Sequence, residues 1–137
     1  MPEASGDAAD DRWPADDGRA LNRLFGVVAS SAANGRGQCD VHATSGQAAP
    51  TTFALTTAVD ITLVRAAATT VQPPEQMNGT AELNVTYLRQ PSGTAHVECV
   101  VTGRSPSARL VDFTVSDAAG ELARGRSTYA VTARRPQ

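Results

Sequence analysis

Lysine is absent from this 137-residue chain, and all 12 basic residues are arginine. That reflects a GC-rich coding sequence more than a function. Cysteine is scarce too. Cys39 and Cys99 sit at no metal-ligand spacing and form no Cys-x-x-Cys pair, so two reduced, partly buried thiols are expected. No apolar run approaches the roughly eighteen residues of a membrane span. The longest, residues 51–71, is broken by threonines, Asp60 and Arg65. No basic segment followed by an apolar run opens the sequence, so no secretory signal is read and a cytoplasmic location is expected. His42 and His96 stand alone, without a second ligand at metal spacing. No metal site is therefore expected.

What is present is enough for one domain with a core. The formal net charge of −2 conceals an asymmetry. Residues 1–17 carry six acids (Glu3, Asp7, Asp10, Asp11, Asp16, Asp17) against one arginine. Rich in Ala, Asp, Gly and Pro, they read as a disordered acidic tail, with Trp13 the one aromatic in it. Residues 18–137 read as the folded domain. They carry 14 − 6 = 8 acids and 12 − 1 = 11 arginines, an excess of three positive charges. That is too weak for a nucleic-acid footprint. It suits a small anionic ligand such as a nucleotide phosphate.

Along the domain, residues 18–25 read as a short helix with Leu21, Leu24 and Phe25 on one side. Val27 to Ala32 reads as a strand, Asn34-Gly35-Arg36-Gly37 as a turn, and Gln38 to Thr44 as the return strand. After a loop, residues 51–71 change period. Phe53, Thr56, Thr57, Asp60, Val64 and Ala67 recur every three or four residues, which predicts a helix with those residues on one face. Thr51 or Thr52 can cap it, and Pro73-Pro74 ends it. The helix is apolar nearly all round, as expected of one that a sheet wraps. Four strands are then predicted: Thr80–Arg89, Ala95–Thr102, Ala108–Ser116 and Glu121–Ala133. In the first, Ala81, Leu83, Val85 and Tyr87 alternate with Glu82, Asn84, Thr86 and Leu88. A long antiparallel sheet curled around one buried helix satisfies this pattern.

The segments Thr80-Ala-Glu-Leu-Asn-Val-Thr-Tyr-Leu88, Gly103-Arg104, Val111–Ser116 with Asp117-Ala-Ala-Gly120, Leu122-Ala-Arg-Gly125 and Thr128-Tyr129-Ala-Val131 resemble the hotdog-fold acyl-CoA thioesterases, nearest to the phenylacetate-pathway type. The resemblance covers about residues 20–132. It implies an α+β hotdog fold, a curved antiparallel sheet wrapped around one long central helix. It implies hydrolysis of an acyl-CoA thioester with no cofactor. It also implies a homodimer, often a dimer of dimers, with neither nucleic acid nor membrane as partner. In that family the helix opens with His-Gly-Gly, and a carboxylate follows nine residues after the His. Asp60 matches the carboxylate, which would activate the attacking water. Thr80 matches a small polar residue that assists from the other subunit, and Gln47 a polar residue ahead of the helix. Backbone N–H groups near Thr51 and Thr52 would bind the thioester oxygen, helped by the helix dipole.

The chain departs from the pattern at one place: Thr51-Thr52-Phe53 stands where His-Gly-Gly would. This leaves open a hotdog protein that binds acyl-CoA, or another hydrophobic ligand, without turnover. Gly103, Arg104 and Arg109 match the strand-end segment that meets CoA phosphates, where the arginine fork suits an anion. Arg89 and Arg126 are weaker candidates. A hotdog dehydratase would need an active-site His with an acid, and His42 is poorly placed for that.

An aspartate on the apolar stretch carries the most information in the chain. A buried carboxylate is costly unless paired, so its presence calls for a partner or a use.

Overall fold

The computed structural model of the chain describes residues 22–133. The expectations for the acidic tail, Trp13 and the first part of the short helix fall outside those residues. Residues 22–24 are helical, but Leu24 is 68% exposed and does not share a buried side with Phe25. Six strands and one long helix follow: β1 (Val27–Ala33), β2 (Arg36–Val41), α1 (Thr52–Ala68), β3 (Glu75–Tyr87), β4 (Ala95–Arg104), β5 (Ala108–Asp117) and β6 (Gly120–Ala133). They form one antiparallel sheet in the order β1-β2-β4-β5-β6-β3, so β1 and β3 are its edges.

The β1–β2 hairpin turns on Asn34 and Gly35, both at positive φ (52° and 76°). This is the two-residue geometry that matches strand twist and that Asn-Gly favours. The turn is therefore tighter than residues 34–37, and β2 starts at Arg36 and stops at Val41. β3 starts at Glu75, well before the expected Thr80.

Thr51 caps α1, its hydroxyl accepting from the N–H of Ala54 at 3.0 Å. The face turned to the sheet is Leu55, Ala58, Val59, Thr62, Leu63, Ala66 and Ala67. This corrects the face expected from the sequence. Thr56, Thr57, Asp60 and Val64 are half-buried on the opposite side, and Phe53 is 70% exposed. The sheet curves over the helix, its central strands against this face and β3 beside the half-buried one. Close approach decides which side. A β-carbon at Gly37 would lie 2.8 Å from the Thr62 carbonyl, so the backbone of β2 presses on α1 there. Beside it, Cys39 Sγ meets Thr62 Oγ1 at 3.2 Å, and Thr62 donates to the Ala58 carbonyl. The core joins this face to Val41, Val97, Val111, Phe113, Val115 and Leu122. Each such aliphatic side chain contributes about 1.5–3 kcal/mol by leaving water.

Both cysteines are free and buried, as expected. Burial pushes both thiols above their ordinary range, Cys99 the further of the two.

Candidate active site

β3 runs alongside the half-buried face of α1, and two irregularities decide what it offers there. Its pairing with β6 passes from Met77–Val131 to Gly79–Ala130, and from Thr80–Tyr129 to Glu82–Thr128. Asn78 and Ala81 are the extra residues. Strand side chains alternate with period two, and one inserted residue reverses the alternation. Thr80 and Leu83 therefore both face inward although they are three apart, and Glu82 faces out. Gly79, at φ +143°, takes a conformation that other residues rarely adopt. The carbonyl of Glu82 is held by the buried hydroxyl of Ser127 at 2.7 Å. Ala81 is exposed, so the expected inward row Ala81, Leu83, Val85, Tyr87 holds only from Leu83 onward.

The result is a contact between two residues that the sequence singled out. Thr80 Oγ1 donates to Asp60 Oδ1 at 2.8 Å, and both residues are half-buried. Thr80 thus reaches Asp60 within one chain. Asp60 Oδ2 makes no hydrogen bond among the described residues. Thr52, Thr56 and Asp60 lie four apart and so share one line along the helix. At the head of that line Tyr87 donates to the Thr52 carbonyl at 2.9 Å and takes the Thr56 hydroxyl at 2.7 Å. Burial pushes the Tyr87 phenol above its ordinary range. β3 thus grips α1 twice, at its first turn through Tyr87 and at Asp60 through Thr80.

The first turn of α1 has an open end. Leu55 N–H bonds the Thr51 carbonyl and Ala54 N–H the Thr51 hydroxyl. The N–H groups of Thr52 and Phe53 have no acceptor among the described residues, and no acid sits in that turn. Such amides, with the helix dipole behind them, are ready donors to an anion or a carbonyl oxygen. The exposed Phe53 ring leans on Phe25, with centroids 5.7 Å apart.

The remaining candidates separate clearly. Gln47 is exposed on the loop before α1, with its backbone N–H on the Thr44 carbonyl. Arg109 is 1% exposed. Its fork holds both oxygens of Glu75 at 2.9 and 3.0 Å, and it also bonds the Thr70 hydroxyl and the carbonyls of Thr70, Ser105 and Ala108. Every donor is used inside the fold, so Arg109 is a strut and leaves the phosphate-binding set. Arg104 is exposed and bonds the Thr70 carbonyl at 3.0 Å. Gly103 packs under Leu110. Arg89 is tied to Asp117, and Arg126 to Asp112 at 2.7 Å. His42 bonds Thr94 at 3.1 Å, and His96 lies between Asp40 and Glu98. Among the described residues, no group of three His, Cys, Asp or Glu side chains could hold a metal. No described helix is long and apolar enough to cross a membrane. A concavity of about 330 Å³ lies between Ser31, Arg36, Gln38, Glu98 and Val100, and no candidate residue lines it.

One curved antiparallel sheet with a single long helix packed on it, and a carboxylate held on that helix beside β3, is the hotdog fold. No protein-family model matches the chain, and no curated protein matches it. Solved structures do. A conserved protein from Pseudomonas aeruginosa is 20% identical, with a TM-score of 0.72 over 86% of this chain and 99% of that one. A thioesterase family protein from Silicibacter pomeroyi is 13% identical, with a TM-score of 0.73 over 93% and 98%. A phenylacetic acid degradation-related protein from Ralstonia eutropha is 18% identical, with a TM-score of 0.67 over 81% and 89%. What this chain shares with them is the fold.

Proposed function

We propose that the chain hydrolyses an acyl-CoA thioester to the free acid and CoA. One observation carries the reading: a helix carboxylate fixed by a threonine hydroxyl at 2.8 Å, with its second oxygen unclaimed among the described residues. Thr80 orients Asp60, and Asp60 Oδ2 takes a proton from water. The water oxygen attacks the thioester carbonyl carbon. The oxygen of the resulting tetrahedral intermediate is held by two N–H groups of an α1 first turn. On collapse the carbon–sulfur bond breaks and the leaving thiolate takes the proton from Asp60. The residue types suit these roles, since a carboxylate is a general base and paired amides are oxyanion donors. Neither step needs a metal or an organic cofactor. Proteins of like fold that are named thioesterases add support.

The amides meeting that oxygen belong to a second copy of the chain. Seven or eight residues separate Thr52 and Phe53 from Asp60, which at 1.5 Å per residue is about 11 Å of helix. One thioester carbonyl does not bridge that span easily. A copy docked on the free edge of β3 would bring its own first turn to the half-buried face of α1. An exposed 13-residue edge strand is itself a surface that proteins cover. A homodimer is therefore the working unit proposed, and a dimer of dimers is compatible with it. Exposed Arg104 is the candidate for the CoA phosphates. Phe53, where a glycine-rich turn would leave space, narrows the approach to the amides and restricts the acyl group.

Release of free thiol from a panel of acyl-CoA thioesters tests the proposal. Asp60→Asn should lower kcat by about 10²–10⁴-fold, the range for losing a general base, with an unchanged circular dichroism spectrum. Absence of thiol release by the unaltered protein across the panel overturns the reading. CoA binding without turnover would then mark a binding protein.

A further inference from the structure

The chain has two tyrosines, and they are placed very differently. The Tyr87 hydroxyl has two partners, Thr52 and Thr56. Tyr129 is only 4% exposed, yet its hydroxyl makes no hydrogen bond among the described residues. A buried hydroxyl left unpaired costs about 1–3 kcal/mol, so such a group is uncommon and calls for a reason.

Its location supplies one. On β6 the inward residues are Ser127, Tyr129 and Val131, all buried. Tyr129 pairs across the sheet with Thr80 on β3 and with Arg109 on β5. Cross-strand partners present their side chains on one face, so Thr80, Tyr129 and Arg109 form one inward row under α1. Arg109 spends its donors on Glu75, Thr70 and Ser105. Thr80 spends its proton on Asp60. Tyr129, between them, is the member of the row with nothing bound. It also feels the Asp60 charge. Burial first, and then that carboxylate, push its phenol above the ordinary range.

We propose that Tyr129 is a third catalytic group of the Asp60–Thr80 site, whose hydroxyl holds the attacking water as a second hydrogen-bond partner beside Asp60. This rests on the hydrolytic reading above. A nucleophilic water fixed by one contact still swings about it. A second contact restricts it to the line of attack, and such positioning is a large share of what active sites contribute. The water's proton goes to Asp60, and Tyr129 keeps its own proton throughout. The Ala81 bulge matters here as well. It turns Thr80 inward opposite Tyr129, so one inserted residue brings Thr80 beside both Tyr129 and Asp60.

Tyr129→Phe keeps the ring in the core and removes only the hydroxyl. It should lower kcat about 10–100-fold with KM within about twofold, the lower part of the acid–base range. Its melting temperature should be unchanged or higher, because no hydrogen bond is lost. Tyr87→Phe, which loses two, should melt lower. Full kcat in Tyr129→Phe, in a protein whose Asp60→Asn variant is dead, overturns the inference and leaves the hydrolytic reading standing. A second measurement needs no substrate. In a Tyr87→Phe background Tyr129 is the sole tyrosine, and its ionisation can be followed by ultraviolet absorbance. Adding Asp60→Asn should move that ionisation to lower pH. An unmoved titration places the phenol away from the carboxylate and overturns the proposal whether or not a substrate has been found.

Discussion

The two ends of α1 are built in opposite ways. At the C-terminal end the carbonyls of Ala66, Ala67 and Ala68 are all taken. Thr69 and Thr70 donate back to the carbonyls of Ala66 and Ala67, and Thr69 also accepts from Gly35. The Thr70 carbonyl takes Arg104 and Arg109 together. Cations at the carbonyl end also oppose the helix dipole favourably. At the N-terminal end a single threonine caps the turn, two amides stay open, and Phe53 stands in solvent. One end anchors the helix in the sheet. The other leaves two donors that no described residue takes up. Tyr87 steadies the first turn through the Thr52 carbonyl and the Thr56 hydroxyl without touching its open amides, so the helix holds Asp60 while those donors stay available, the division that the proposed hydrolysis would use.

The sharpest way to break the comparison is to remove the anchor. Arg109→Leu leaves Glu75 unpaired and the Thr70 hydroxyl and carbonyl each short of a partner. Arg109 is buried but the Glu75 side chain is 26% exposed, so water recovers part of the lost pairing and the unpaired Thr70 groups carry much of the cost; urea unfolding should still show a large loss. Arg109→Leu/Glu75→Leu should recover part of it, because no uncompensated charge remains. Turnover per folded molecule should stay close to that of the unaltered protein. A collapse in kcat/KM without a loss of stability would return Arg109 to the ligand-binding set.

The same residue shows what was legible in the sequence. Arg109 alternates with Val111, Phe113 and Val115 on one strand, so its inward direction was readable from period two. Arginine's suitability for phosphate outweighed that pattern, and the half-buried partner, Glu75, lay in a stretch not read as strand. The number and order of the elements after residue 50 were legible because Pro- and Gly-containing turns punctuate them. The inner face of α1 was not. The helix is apolar on all sides, so periodicity could not choose between the Leu55–Val59–Leu63 face and the Thr56–Asp60–Val64 face. The approach of Gly37 to Thr62 chose, and that contact spans 25 residues. Asp60 and Thr80 were legible through the family resemblance, but their contact depends on bulges at Asn78 and Ala81, which leave no mark in hydrophobic alternation. Tyr129 repeats the lesson of Arg109, since the alternation Ser127, Tyr129, Val131 places it inside.

Acid should loosen the anchored parts of the fold first. The Glu75 carboxyl is held below its usual range chiefly by Arg109, and the Asp117 carboxyl well below it by Arg89 and then Ser92. Asp117 closes the β3–β4 loop onto the β5–β6 turn, through Arg89, both donors of Ser92, and the N–H of Ala119. A carboxyl whose pKa is lower folded than unfolded stabilises fully above its unfolded value, about 4. That stabilisation is lost as pH falls towards the folded value. Melting temperature should therefore fall from about pH 4 downward. Asp117→Asn should melt below the unaltered protein at pH 7, with the gap narrowing as pH falls through that window. A gap that is constant from pH 7 to 3 would mean the carboxylate's charge is not what closes the loop.

The smallest effect belongs to the open end. Thr51→Ala removes the hydroxyl that accepts from Ala54 and leaves a third amide unclaimed in the first turn. Losing such a cap costs about 1 kcal/mol, less than the Arg109 effect, and Thr51→Ser should restore it. The consequence for turnover should be larger than for stability, since the freed turn no longer fixes the Thr52 and Phe53 amides in direction. Urea unfolding and kcat measured on the same variant separate the two. If Thr51→Ala costs as much stability as Arg109→Leu while kcat holds, the N-terminal turn is an anchor like the other end, and the oxyanion role assigned to its amides fails with the contrast.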